Sequence, residues 1–232
     1  GNITVTPSGS GCTGAAQTFT ITVTPAPTVI QPSDISACAG TNVNLFFIGT
    51  LGASFNWTNS NPAIGLAASG NGDLNFIAAG VASQQTGVVT VTPVVGSCAG
   101  TAQTFNIVIN PAPSVNDPAN QTVCSGTPVA VAFAGSGNTT FNWVNDNPAI
   151  GLGASGSGNI SFNATGVGVG NISVTPSANG CDGPSQLFDI TVVASPAVNQ
   201  PANLNACAGN PVAVAFTGTT GATYSWSNSN PA

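Results

Sequence analysis

The chain has 232 residues, contains no Lys, Arg or His, and carries six Asp as its only acidic residues, which gives a formal net charge of −6. Binding of nucleic acids and phosphates depends on Lys and Arg, and a Ser or Cys nucleophile needs a neighbouring base. We therefore predict no nucleic-acid partner, no catalytic residue and no enzymatic activity. The hydrophobic fraction of 42% exceeds that of disordered chains, so we expect a folded protein.

The composition also argues against metal sites and membrane spans. There is no His to bind zinc, and no two Cys stand at zinc-finger spacing. Calcium prefers clustered carboxylates, but the six Asp do not recur from one repeat to the next. They are Asp34, Asp73, Asp117, Asp146, Asp182 and Asp189. We predict solvated Asp side chains and neither a metal nor a cofactor. No stretch approaches the roughly 18 apolar residues of a membrane span, so we predict no membrane insertion in this segment.

Tandem repeats organise the chain. The landmarks of each repeat are a Cys, a Trp 19 residues later and an Asn-Pro pair. They occur as Cys38, Trp57 and Asn61-Pro62, then as Cys124, Trp143 and Asn147-Pro148, and again as Cys207, Trp226 and Asn230-Pro231. We predict the end of one repeat at 1–26, complete repeats at 27–112 and 113–195, and the start of a further repeat at 196–232. This division predicts an internal segment of a longer protein.

The two complete repeats differ in length at one place. Cys38 and Cys124 are 86 positions apart, but Cys98 and its counterpart Cys181 are only 83 apart. The three-residue deletion lies around Ala78–Gly87. Because length changes are tolerated in exposed loops, we predict a loop there.

Hydrophobic and polar residues alternate within each repeat, which is typical of half-buried strands. Val43, Leu45 and Phe47 fall on one face of such a strand, and Phe55 shares a face with Trp57. About seven short strands in roughly 85 residues, with one core Trp on the third, predict an all-β fold of tandem immunoglobulin-like β-sandwich repeats.

The three Trp are predicted to lie in the cores of their repeats. Each shares a strand face with an aromatic residue two positions earlier, which suits core packing better than an exposed sugar-stacking platform. The core residues are Trp57, Trp143 and Trp226.

Several elements of the second repeat resemble a known family. The segments 122–127 (TVCSGT), 141–145 (FNWVN), 147–152 (NPAIGL), 174–176 (VTP) and 179–183 (NGCDG) are similar to the PKD-like, Ig-like tandem repeats of giant Bacteroidota cell-surface adhesins. Gliding-motility adhesins exported by type IX secretion are members of that family. The resemblance covers the entire chain. It implies a β-sandwich array displayed outside the cell, at the cell surface, but it identifies no ligand.

Two functions remain open. The first is an extracellular structural repeat protein that forms a disulfide-reinforced filament or adhesin stalk and serves adhesion, reach or mechanical strength. The alternative is a glycan- or protein-binding module, for example through the loop Gly49–Ser54. The expected partners are further repeats of the same chain, lateral copies of the chain in a fibre, and surface glycans or the substratum. Lateral copies are expected because charged residues that would guard strand edges are nearly absent.

The six cysteines, Cys12, Cys38, Cys98, Cys124, Cys181 and Cys207, predict disulfides. One pairing is within repeats, Cys38–Cys98 and Cys124–Cys181. In an Ig-like topology, however, Cys38 lies at the C-terminal pole of its repeat and Cys98 at the N-terminal pole, too far apart for the Cα separation of about 5.5 Å in a disulfide. Our preferred pairing is therefore Cys38–Cys181, between consecutive repeats, with the other cysteines paired to repeats outside this segment.

Overall fold

The computed structural model describes residues 1–230; Pro231 and Ala232, which end the predicted fourth segment and its Asn230-Pro231 pair, lie outside the described residues. The described part is built almost entirely of β-strands. Its contacts divide it into two units, Gly1–Ala112 with Asn179–Cys181, and Pro113–Ala178 with the residues from Asp182 onward. Among residues 1–230, no helix is long and apolar enough to cross a membrane.

The first unit contains twelve strands and one 3-10 turn at Pro62–Ile64. The strands are β1 Asn2–Val5, β2 Ser8–Gly9, β3 Cys12–Thr13, β4 Gln17–Thr20, β5 Ile35–Cys38, β6 Asn42–Leu45, β7 Ser54–Asn59, β8 Ser69–Asn71, β9 Leu74–Ile77, β10 Gln85–Val95, β11 Cys98–Ala99 and β12 Gln103–Asn110.

Strands β5 to β12, within the predicted repeat 27–112, form an immunoglobulin-like β-sandwich. One sheet has the order β5-β12-β10-β7-β8, with β11 paired to β10. Strand β5 runs parallel to β12, and the other neighbours are antiparallel. The facing sheet pairs β6 with β9 and is extended by a bridge between Val29 and Gly49. Alternating residues of both sheets fill one core, among them Val43, Phe47 and Ile107. The predicted all-β, Ig-like fold is confirmed.

Trp57 lies in this core, on the third strand of the repeat. Its ring lies against Gly70, where an added Cβ would come within 2.3 Å of Cζ2 of the indole. Gly70 belongs to strand β8. A strand can pass here because glycine has no side chain to collide with the ring.

Residues 113–230 contain eight strands and a 3-10 turn at Pro148–Ile150. The strands are β13 Gln121–Cys124, β14 Pro128–Val131, β15 Thr140–Asn145, β16 Ser155–Ser157, β17 Ile160–Asn163, β18 Gly168–Ala178, β19 Cys181–Asp182 and β20 Gln186–Val193. The sheet order β13-β20-β18-β15-β16, the β14–β17 pair and the Val115–Gly135 bridge repeat the arrangement of residues 27–112.

The three-residue deletion lies in a loop. In the first complete repeat, β9 ends at Ile77 and β10 begins at Gln85, which leaves seven connecting residues, 78–84. In the second, β17 ends at Asn163 and β18 begins at Gly168, which leaves four, 164–167. The sheets are therefore unchanged by the deletion.

Trp226 is not buried in the described part of the chain, so its predicted core position stays a prediction. Its side chain is 75% exposed, whereas Trp57 and Trp143 are 8% and 9% exposed. The segment 196–230 supplies counterparts of only the first part of a repeat, including a bridge between Val198 and Gly218. The strands that cover Trp57 and Trp143 come later in each repeat, so nothing here covers Trp226.

Candidate functional site: the Cys38–Cys181 disulfide

Cys38 is the last residue of β5 and opens a tight turn. Gly40 has a φ of 80°, a left-handed conformation that favours glycine. The Thr41 hydroxyl and backbone N–H both donate to the carbonyl oxygen of Cys38, at 2.7 and 3.1 Å. The N–H of Ala39 donates to Asn110, the last residue of β12. Cys38 is thereby fixed beside the end of its repeat.

Cys181 sits at the tip of the β18–β19 hairpin. The two turn residues, Asn179 and Gly180, have φ values of 52° and 76°. Two consecutive left-handed residues match the twist of a two-residue hairpin, and Asn-Gly is the pair best suited to it. Residues Asn179–Cys181 group with the first unit, although the residues on both sides, Ala178 and Asp182, belong to the second.

The structure joins Cys38 and Cys181 in a disulfide, with 5.6 Å between their Cα atoms and 143 positions between them in sequence. The Cys181 side chain is buried, with 1% exposed. A cysteine forms one disulfide, so neither within-repeat alternative, Cys38–Cys98 or Cys124–Cys181, is present.

The other four cysteines are unbonded in this chain: Cys12, Cys98, Cys124 and Cys207. Cys124 ends β13 and is paired in register with Val193, near the end of its repeat, just as Cys38 is paired with Asn110. Cys98 begins β11, and its sulfur lies 3.3 Å from the hydroxyl of Thr24 in the joint that precedes its repeat. Cys124 therefore occupies the position of Cys38, and Cys98, the first residue of β11, occupies that of Cys181, the first residue of β19.

Three of the acidic residues, Asp34, Asp73 and Asp146, act as hydrogen-bond acceptors for the backbone. Asp34 accepts from the backbone N–H of Asn106 at 2.7 Å and from its side-chain amide at 3.1 Å. At the equivalent positions of the second repeat the Asp and the Asn are exchanged. There Asn120 accepts from the backbone N–H of Asp189 at 2.8 Å. Asp73 accepts from the N–H of Phe47 at 2.9 Å.

A neutral side chain can therefore replace the carboxylate. Asn159, the counterpart of Asp73, accepts from the N–H of Phe133 at 2.9 Å. Asp146 accepts from the N–H of Asn171 at 2.8 Å, and its counterpart Ser60 accepts from Val88 at 2.9 Å. These contacts give Asp a structural role, where we had predicted only solvated side chains.

Hydrogen bonding lowers the pKa of two of these carboxyls. The backbone N–H of Asn106, and then its side chain, hold the pKa of Asp34 below its ordinary 3.8. The side chain of Asn171, and then its N–H, do the same for the pKa of Asp146. Each donor favours the ionised carboxylate. Within residues 1–230, no group of three or more His, Cys, Asp or Glu side chains is placed to hold a metal ion.

The indoles of the two complete repeats differ in one contact. Trp57 Nε1 donates to the carbonyl of Gly72 at 3.1 Å. Trp143 Nε1 is buried without a hydrogen-bond partner among the described residues. Both rings face the core, so neither offers a platform for stacking a sugar.

Sequence reasoning missed an apolar surface patch on the first complete repeat, formed by Ile30, Phe46 and Ile48. Phe46 is 75% exposed and the two Ile are also exposed. The matching positions of the second repeat are Asn116, Ala132 and Ala134. Comparing equivalent positions of the two repeats would have revealed the difference. Leu51, in the loop proposed for ligand binding, is also fully exposed.

No protein-family model matches the sequence, and no curated protein is similar to it. Solved structures that match the chain include the N-terminal Ig1-2 module of the Drosophila receptor protein tyrosine phosphatase DLAR, with 14% identity and a TM-score of 0.30 over 73% of this chain and 100% of that one. Sidekick-1 immunoglobulin domains 1–4 have 16% identity and a TM-score of 0.41 over 78% and 55%. The insect immune protein hemolin has 15% identity and a TM-score of 0.37 over 83% and 56%.

Proposed function

We propose that this chain is a segment of an extracellular structural repeat protein that forms a disulfide-reinforced filament or adhesin stalk on a bacterial surface. The proposal extends the sequence resemblance to Bacteroidota adhesins of the gliding-motility type, exported by type IX secretion. Its units are the repeats 27–112 and 113–195, flanked by the part-repeats 1–26 and 196–232. The role of the array is reach and mechanical strength, with no catalysis in this segment.

The observation that carries the proposal is the disulfide between Cys38 and Cys181. The two cysteines belong to different repeats, which the backbone already connects at residues 112–113. The bond adds a second covalent connection between the same repeats. By the chain-entropy estimate, closing a loop of 143 residues restricts the unfolded chain by about 5 kcal/mol.

Two features support an array outside the cell. Structural disulfides persist in oxidising compartments and are rare in the cytosol. Cys124 and Cys98 occupy the same places as the two bonded cysteines, so a longer array can repeat the crosslink at every joint. The partners would then be neighbouring repeats of the same chain.

Disulfide mapping of unreduced protein tests the pairing. Cleavage before each Asp gives fragments 1–33, 34–72, 73–116, 117–145, 146–181, 182–188 and 189–232, and each of the six cysteines falls in a different fragment. We expect mass spectrometry to find 34–72 joined to 146–181, and to lose that species in Cys38→Ser. Fragment 34–72 joined to 73–116, or 117–145 joined to 146–181, would contradict the proposal.

Cryo-electron microscopy of the native, unreduced material tests the filament itself. We expect a stiff continuous fibre with beads about 40 Å apart, because twelve residues of extended strand at about 3.3 Å span one sandwich. Isolated particles, or freely jointed beads, would remove the structural role and leave a flexible spacer.

The second candidate is a module that binds a glycan or a protein. The patch of Ile30, Phe46 and Ile48 favours it, because the fold forms without these residues in the second repeat. A protein surface is the better match, since apolar exposed patches mark protein contacts. If this function holds, cells that carry Phe46→Ala should no longer adhere to the partner surface. Unchanged adhesion of cells carrying Phe46→Ala would exclude the patch.

A further inference from the structure

We infer that the Cys38–Cys181 disulfide removes the interior of both complete repeats from the covalent path that carries tension, so that the array cannot lengthen greatly even when its sandwiches unfold. The inference rests on the mechanical role proposed above. Cys38 ends strand β5 and Cys181 begins strand β19.

The shortest covalent path through the two repeats is short. Tension entering at residue 27 follows the chain through β5 to Cys38 and crosses the disulfide to Cys181. It then follows β20 to the end of the repeat at residue 195. Only 27–38 and 181–195 carry the load.

Residues 39–180 lie outside this path. They include both buried indoles, Trp57 and Trp143, and every strand from β6 to β18. A force that separates the sheets can therefore unfold these residues without pulling them out straight. In an ordinary tandem array, each unfolded domain instead adds its whole length to the tether.

The disulfide shortens the covalent path between the two ends of the chain by a large length. The bond replaces 143 steps along the backbone. An extended chain spans at most about 3.3–3.6 Å for each residue, so the bond withholds about 500 Å. The two within-repeat alternatives enclose 60 residues (Cys38–Cys98) or 57 residues (Cys124–Cys181), and either bond alone would withhold about 200 Å.

Repetition of the bond gives a longer array two interleaved paths. Cys124 occupies the position in its repeat that is equivalent to Cys38, and Cys98 occupies the position equivalent to Cys181. Bonds of the same kind from Cys124 to the following repeat, and from Cys98 to the preceding one, would start a second path beside the first. Breaking one bond would then shift the load to its neighbour and not lengthen the fibre.

Single-molecule force spectroscopy on the full chain, held by peptide tags at its two ends, tests the inference. The contour length of the fully unfolded chain is measured for one molecule before and after a reductant is added. We expect reduction to release about 500 Å. In Cys38→Ser the reductant should release nothing, and in the matched control Cys98→Ser it should still release about 500 Å.

The outcomes separate this inference from the proposed function. A release of about 200 Å, or no release from the oxidised wild type, overturns the load path. The reductant comparison on wild type needs no variant to fold, so misfolding of Cys38→Ser leaves the test intact. A release of about 500 Å from a protein that forms no fibres upholds the load path and refutes the filament.

Discussion

The two predicted complete repeats, 27–112 and 113–195, have the same strand order and register but differ in chemistry at equivalent positions. Asp34 accepts a backbone hydrogen bond in the first, and Asn120 accepts it in the second. Asp73 and Asn159 make a second such exchange. In both cases the shared property is an oxygen that accepts an N–H. The comparison shows that the fold requires an acceptor at these positions and does not require a charge.

A second group of differences concerns surfaces. The patch of Ile30, Phe46 and Ile48 is confined to the first repeat. At the matching place in the second repeat, Asn116 forms a polar contact with the N–H of Ala134. Since both repeats fold alike, these side chains are free to serve contacts with other molecules. The repeats share their cores, so substitutions in the core should have the largest effects on stability.

Truncating the core indoles should have the largest effect. Trp57→Ala and Trp143→Ala should each destabilise their own repeat by about 3–5 kcal/mol, because each leaves a large cavity under the sheets. Hydrogen exchange of the full chain, followed repeat by repeat with mass spectrometry, measures this. Trp226→Ala is the matched control and should change stability by less than about 0.5 kcal/mol, since that side chain is exposed. Equal losses in all three variants would show that the fourth segment also has a formed core.

Two glycines at equivalent places should be the next most sensitive. A Cβ at Gly100 would lie 1.7 Å from the carbonyl oxygen of Pro27, and one at Gly183 would lie 1.8 Å from that of Pro113. Gly100→Ala and Gly183→Ala should therefore each cost about 1–3 kcal/mol, because backbone must move. Denaturant unfolding of the full chain measures the loss. Gly137→Ala, where a Cβ meets nothing within 4 Å, serves as the control and should be nearly neutral.

The indole N–H groups sharpen the comparison further. Trp57→Phe removes the hydrogen bond to Gly72, whereas Trp143→Phe removes a buried N–H that has no partner. We expect Trp57→Phe to cost about 0.5–1.5 kcal/mol more than Trp143→Phe, as measured by hydrogen exchange in each repeat. A larger loss from Trp143→Phe would mean that its N–H has an acceptor, such as a bound water.

The fold was largely predictable from the sequence because alternation of apolar residues is a local signal. Val43 and Phe47 are buried on one face as their spacing predicts. The length difference also pointed to a loop, since sheets do not tolerate a deletion that shifts the register. The need for glycine at position 70 was not predictable, because a local sequence pattern does not show that strand β8 passes over an indole.

The site was less predictable because its contacts are distant in sequence. Asp34 meets Asn106 across 72 positions, through the parallel pairing of β5 with β12. Spacing alone shows neither the pairing nor the exchange with Asn120 and Asp189. The cysteines could be counted but their pairing stayed open, because six cysteines allow many connectivities. Trp226 was placed in a core by its motif, but burial depends on strands that its segment does not contain.

The smallest expected effect is a loss of folding stability at low pH. Hydrogen bonds lower the pKa of Asp34 and of Asp146 in the folded protein. A carboxyl whose folded pKa is depressed contributes stability that is present above its unfolded pKa and is lost as the pH falls through the folded pKa. We therefore expect each repeat to lose a little stability below about pH 3.8, the ordinary value. Both carboxyls are fully exposed, so the effect should be slight and weakened by salt.

Carbon-detected NMR titration of the full chain should find both carboxyl pKa values below 3.8. Asp34→Asn should keep the contact to Asn106, because Asn120 makes the same contact in the second repeat. The Asp34→Asn substitution should abolish the loss of stability at low pH in the first repeat. The second repeat should keep its own loss, because Asp146 remains there. Asp34→Ala should instead weaken hydrogen-exchange protection of the Asn106 N–H at neutral pH. If Asp34→Asn also lost that protection, the charge would be needed, and the equivalence of the two repeats at this position would fail.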